Sequence, residues 1–232
     1  MIESGGIRRR RLAWPWVLTA FSLIMLVTWA YAEWRLGDGA GEWIRSWGFV
    51  PANVLAALDH LPGSWNSHDL LTVLTSLFVH GDWLHLAGNL AYLWVFGITV
   101  ERALGHAGLA LSFLLLGALA NLILVWQMGP TQTPVIGASG GVSALIGIYL
   151  GLFPVSRMGL WLPLGLYLQF ARVPAILVIG SWFTLQLIYT VFGGQDGAVA
   201  WWAHIAGFVA GVVVAILLRP FPGLVDLTLQ DD

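Results

Sequence analysis

Six stretches of the sequence carry almost no charge over the length a membrane crossing requires: residues 12–31, 83–100, 107–127, 137–154, 174–192 and 198–218. A helix rises 1.5 Å per residue, so about 20 apolar residues cross a hydrocarbon core roughly 30 Å thick. The last stretch holds one ionisable side chain, His204, and between 83 and 127 the charged side chains are Glu101 and Arg102. In hydrocarbon, every backbone N–H and C=O must be paired within the chain, and helices do this locally. The pattern predicts an all-α, polytopic membrane protein. It forms a single domain over 1–232, a six-helix bundle with a long outer loop at 32–82 between the first two helices.

Composition agrees and removes other classes. Charged residues are 9% of the chain and hydrophobic residues 58%, where a soluble domain is about 25% charged. An ordinary soluble domain and a disordered chain are both excluded. The net charge of −2 offers no basic field for nucleic acid. With no cysteine, there is no disulfide, thiolate metal site or cysteine nucleophile. Fourteen tryptophans suit a chain with many residues at membrane–water interfaces.

The basic residues orient the bundle. All ten are arginine. Arg8, Arg9, Arg10, Arg11, Arg102, Arg157, Arg172 and Arg219 fall on the side of the termini, and Arg35 and Arg45 on the other. The positive-inside rule then puts both termini in the cytoplasm. The expected location is the cell's inner (plasma) membrane, which the arginine count does not itself identify. Ala30-Tyr31-Ala32 would also suit a signal-peptide cleavage site. The apolar stretch before it is longer than a signal core and carries Trp14, Pro15 and Trp16, so it reads as a retained span. The outer loop is too long for a plain connection. Its apolar segments at 47–52 and 54–58 predict short helices at the membrane surface. The inner stretch 159–170 is apolar but interrupted by Pro163 and Gly165; it reads as partly embedded, with a seventh short segment left open.

Polar residues inside spans are costly and mark function. His80, His85 and Asn89 stand at the outer end of the second span, Ser139 at that of the fourth, and His204 in the outer part of the sixth. Helical rise puts Asn89 and His204 roughly 9 Å below the surface and Ser139 roughly 7 Å. Three separate segments therefore offer polar groups at one depth. A serine hydroxyl becomes a nucleophile when a neutral imidazole takes its proton. His85 and Asn89, four apart on one helix face, can donate to a developing oxyanion, and so can the Ser139 amide at a helix N-terminus. Gly137 and Gly140 leave room for close approach. Gly207 and Gly211 form a small-residue face that suits the Gly140, Ala144, Gly147 and Gly151 face of the fourth span. Each residue alone has an ordinary structural role: a membrane serine bonds back to its own helix, a lone histidine is a satisfied buried group, and glycines pack helices. The coincidence of depth favours a site. No His-Glu pair exists for a zinc motif and no paired Asp lies in the spans, so neither a metal nor a cofactor is expected.

These motifs resemble those of the rhomboid family of intramembrane serine proteases, over roughly 47–217. Gly137-Ala138-Ser139-Gly140 is similar to the family's GxSG motif, Ala203-His204-Ile205-Ala206-Gly207 with Gly211 to its last-helix motif, and His80, His85 and Asn89 to its second-helix motif. The resemblance implies Ser139 as nucleophile, His204 as general base, and an oxyanion hole from His85, Asn89 and the Ser139 amide. It implies a bracing role for His80 at the outer loop and the top of span two, and a helix-holding role for Glu101 and Arg102. It also implies a transmembrane protein substrate entering from the lipid bilayer between spans two and five, with no assigned oligomeric state. Two departures stand out. Asp69-Leu70-Leu71-Thr72 occupies the loop where many relatives carry a Trp-Arg pair. Ser143 stands where some relatives have a Tyr stacked on the histidine, which leaves packing to orient His204. Two alternatives are a catalytically silent relative that binds membrane clients, and a small transporter or channel; the latter lacks the expected mid-membrane charges and internal repeat.

Overall fold

In the computed structural model, residues 14–65, 67–164, 167–192, 199–221 and 223–227 are described. The fold is helical, as the hydropathy pattern requires, with one hairpin added. Helix α1 (Trp16–Tyr31) runs on through a π-helical turn to Leu36. Its N-terminus is capped from another helix: the buried Glu101 carboxylate accepts the Val17 and Leu18 N–H groups at 2.9 and 3.1 Å. That satisfies donors which a helix start leaves open. His106 Nδ1 lies 2.5 Å from the same carboxylate.

Residues 32–82, expected as an outer loop, hold three short helices, α2 (Ala40–Trp47), α3 (Pro51–Asp59) and α4 (His68–Thr75). Pro51 starts α3, where its missing N–H costs nothing. Ser67 caps α4. Phe49, Val54 and Val73 form a small core with Ala120, Leu124 and Val125, so the loop docks on the helix that carries those last three. Phe49 and Val135 also exchange backbone hydrogen bonds at 3.1 and 2.8 Å. This contact ties the loop to the segment leading into Ser139, without a Trp-Arg pair.

Helix α5 (Trp83–Leu111) is capped by Asp82, which accepts the His85 N–H at 2.9 Å. It kinks at Gly105, whose φ of 75° and ψ of 173° are not helical. After a π-helical turn at Ser112–Leu116 comes α6 (Gly117–Met128). Among the described residues, three helical runs are long and apolar enough to cross a membrane: Trp16–Leu36, Trp83–Met128 and Trp201–Leu218. The 46 residues of Trp83–Met128 would extend roughly 70 Å if straight, more than twice a hydrocarbon core; Gly105 breaks that run near its middle.

Helix α7 (Ser139–Leu152) is buried along nearly all its length. It is followed by an antiparallel hairpin of β1 (Arg157–Leu164) and β2 (Tyr167–Pro174), then α8 (Ala175–Phe192) and α9 (Val199–Leu218). The hairpin occupies the stretch whose apolar sequence predicts partial embedding. The main core, with Leu86, Leu93, Phe96, Phe113, Leu145 and Phe208, surrounds α7.

Candidate active site

The contact between α7 and α9 is made by backbones. A Cβ on Gly207 would lie 2.2 Å from the Gly140 carbonyl oxygen, and one on Gly211 would lie 2.1 Å from that of Ala144. From the other side, a Cβ on Gly147 would lie 2.1 Å from the Phe208 oxygen. Without a hydrophobic force between helices in lipid, such close packing is what holds them together. The pairs 140–207 and 144–211 have the same offset, so the helices run parallel. One turn before Gly207, His204 comes to the level of residues 137–139, beside the start of α7.

Gly137 takes φ +119°, a conformation that L side chains rarely adopt. Its N–H donates to the Ser76 carbonyl at 2.9 Å, which ties this bend to the end of the outer loop. A Cβ there would meet His85 Cε1 and Nε2 at 2.7 Å, with Asn89 Nδ2 at 3.8 Å. The His85 imidazole thus lies directly on the Gly137 backbone, two residues from Ser139. Asn89 is buried, and its Nδ2 donates to His80 Nε2 at 3.0 Å. The Ala138 N–H points to the same nitrogen at 3.5 Å. Burial, with His85 adding to it, lowers the His80 pKa from 6.5 to about 4. His80 is therefore a neutral acceptor that holds Asn89 and the Ala138 amide together. These contacts join the top of α5 to the start of α7.

Ser139 is the first residue of α7, with Ala138 at the N-cap. Its carbonyl accepts the Ser143 hydroxyl at 2.7 Å, so the serine that bonds back to its own helix is Ser143. His204 stands between two indoles. The Trp201 ring, one turn earlier on α9, lies 5.2 Å away and edge-on; the Trp182 ring of α8 lies 6.5 Å away at 33°. Trp182 also neighbours Tyr92 at 6.3 Å and Phe208 at 6.2 Å. His85 is within electrostatic reach of His204. Ser139, His204, His85, Asn89 and His80 thus gather at one end of the bundle. Glu101 and Arg102 stand away from this cluster, and Glu101 serves α1. Among the described residues no group of three or more His, Asp or Glu could hold a metal ion.

The two indoles beside His204 are not among the residues named from the sequence. Trp201, three residues from His204, is legible from helical spacing. Trp182 is not, because nothing in a sequence pairs a tryptophan of one span with a histidine of another.

The Rhomboid domain family model matches residues 67–221, well over half of the chain. Rhomboid-like protein 11, chloroplastic, of Arabidopsis thaliana is 32% identical over 161 residues, covering 64% of this chain and 52% of that protein. Rhomboid protease GlpG of Haemophilus influenzae is 26% identical over 140 residues, covering 60% and 65%. Rhomboid-related protein 2 of Mus musculus is 31% identical over 143 residues, covering 61% and 45%. The chain spans about half the length of the curated relatives it matches.

Proposed function

The chain belongs to the rhomboid family, and from that premise we propose that it is an intramembrane serine endopeptidase working through a Ser139–His204 dyad. The observation that carries this reading is the backbone contact of Gly140 with Gly207, one residue from Ser139 and one turn from His204. The imidazole of His85 against Gly137 supports the same end of the bundle as the reacting centre. On this reading Trp83–Met128 counts as two spans meeting at Gly105, and α7 and α8 complete six with α1 and α9. Arginine placement supports cytoplasmic termini.

In the proposed mechanism, Ser139 Oγ attacks the scissile carbonyl carbon while His204 takes its proton. The oxyanion receives hydrogen bonds from His85, Asn89 and the Ser139 N–H. Asn89 Nδ2 carries two N–H groups; one goes to His80 and the second is left for the oxyanion. Collapse of the adduct expels the amine, which takes the proton from His204. Water then cleaves the acyl-enzyme by the same steps in reverse roles. The substrate is a transmembrane segment that unwinds locally, because helical carbonyls are already paired.

The test is labelling by a fluorophosphonate together with cleavage of a model transmembrane substrate in proteoliposomes. Wild type is expected to be labelled and active. Ser139→Ala should lose both signals, and His204→Ala should lose nearly all of both, with unchanged melting. Cleavage retained by either variant rejects the dyad. A folded wild type that neither labels nor cleaves supports the silent client-binding alternative.

A further inference from the structure

The hairpin of β1 and β2 carries a second surface, at the end of α7 far from Ser139. Fourteen residues at 1.5 Å each separate the two ends by roughly 20 Å. Its base is clamped to the core: Ala175 N–H donates to the Ser156 carbonyl at 2.9 Å, and the Ser156 hydroxyl donates to Tyr149 Oη at 3.0 Å. Arg157 and Arg172 lie next to this base and are exposed. Between them, residues 158–171 hold no charge and, outside aromatic rings, one polar side chain, Gln169. Tyr167 is 78% exposed and Phe170 is 51% exposed.

Register puts these residues on both faces of the ribbon. Gly159 pairs with Arg172 and Leu164 with Tyr167. Arg157, Phe170 and Arg172 therefore share one face, and Tyr167, Gln169 and Val173 the other. Neither face has the polar composition that water requires. The polarity also runs the wrong way for a ribbon reaching into the cytosol, since the charges are at the base and the apolar residues beyond it. Hydrocarbon is equally unsuitable, because a two-stranded ribbon keeps an unpaired edge on each strand. The headgroup region meets both demands. It hydrates open backbone edges, accepts tyrosine and other aromatic rings, and offers phosphates to arginine.

We infer that this hairpin lies along the membrane surface opposite the catalytic end, as an interfacial anchor that docks on anionic phospholipid headgroups through Arg157 and Arg172. Both ends of the ribbon continue into apolar helices, α7 and α8, so it is tethered at the bilayer. Eight residues per strand give a length of roughly 27 Å. That is far more than the headgroup layer is thick, so the ribbon lies flat.

The sequence contains no cysteine, so Tyr167→Cys and Phe170→Cys each create a unique labelling position, one per face. Each variant of the full chain is labelled with an environment-sensitive fluorophore and reconstituted in vesicles of phosphatidylcholine with phosphatidylglycerol. Docking predicts quenching by lipid-attached nitroxides at one or both positions, and resistance there to aqueous iodide. In the same vesicles, Arg157→Gln with Arg172→Gln should lower the docked-to-undocked ratio about 25-fold, at about 5-fold per arginine. Pure phosphatidylcholine should weaken docking of the parent in the same direction. Iodide quenching at both positions without lipid quenching overturns the proposal. Protection from both quenchers at both positions also overturns it, and indicates cover by protein, such as a second copy of the chain. Lipid quenching that ignores both the arginines and the anionic lipid rejects the headgroup part.

Discussion

Replacing Gly207 by alanine tests the proposed site through the contact that builds it. The added Cβ would stand 2.2 Å from the Gly140 carbonyl oxygen, whereas ordinary van der Waals contact begins at 3.4 Å. The obstacle is backbone on both helices, so no rotamer change relieves it. Helices α7 and α9 must part by the difference, about 1.2 Å, at this turn. His204 is on the displaced turn of α9, and Ser139 precedes the residue that is struck. A misplacement of about 1 Å can cost about 100-fold in rate, roughly 2.7 kcal/mol in the barrier. Overpacking should cost roughly 1–3 kcal/mol of stability, too little to unfold a well-packed domain. Gly207→Ala should therefore remain folded, melt earlier, and cleave and label with fluorophosphonate about 100-fold more slowly. Gly88→Ala is the control, because nothing lies within 4 Å of a Cβ there; it should match wild type. The assay is initial cleavage rate in proteoliposomes, alongside melting in the same preparation. A folded Gly207→Ala with wild-type rate would refute the coupling of this helix contact to the site.

Other outcomes follow from the same structure. Trp182→Ala removes a ring beside His204 and should slow cleavage up to about 10-fold, the worth of one aromatic contact, whereas Trp182→Phe retains most of the rate; equal rates in Trp182→Ala and wild type would show that α8 does not orient the base. Glu101→Ala leaves the Val17 and Leu18 amides without their acceptor and should lower stability by about 2 kcal/mol or more. Glu101→Gln, which keeps an acceptor oxygen, should lose less, and calorimetry or thermal melting distinguishes the two. His80 has a folded-state pKa of about 4 against 6.5 unfolded. Its contribution is thus complete above pH 6.5 and is lost as pH falls from there to about 4, by up to about 3 kcal/mol. His80→Gln keeps a side-chain acceptor but cannot titrate in this range, so its melting temperature should fall less than that of wild type between pH 7 and 4.5. Parallel declines would remove His80 as the titrating group.

Different parts of the molecule were legible to different degrees. The apolar stretches announced helices because hydrocarbon tolerates few alternatives, and among the described residues three helical runs are long enough to cross a membrane. In residues 32–82 the apolar segment 54–58 does lie within a short helix, α3, but 47–52 does not form one: it holds the end of α2, the Phe49 bridge to Val135 and the start of α3. Apolarity alone does not show where a helix starts. The inner stretch at 159–170 was recognisably apolar, yet its hairpin was not foreseen. Strand pairing there depends on cross-chain register, and continuous apolarity hides the period of two. His80 could be named from its position near Asn89, but its acceptor role needed the approach of the Ala138 amide from α7. Trp182 carried no signal at all.

By itself, the sequence determined the solvent this chain folds in, its helical character, and a short inventory of groups able to do chemistry: Ser139, His204, His85, Asn89 and His80. Side-chain chemistry and span hydrophobicity are local properties, readable one segment at a time. Only the tertiary structure decided the offset between α7 and α9, the bend at Gly137 beneath His85, the indoles around His204, and the donors gathered on His80. Glycines state where two helices can approach. Which carbonyl each one meets depends on the packing of the whole bundle, and that register aligns His204 with the start of α7.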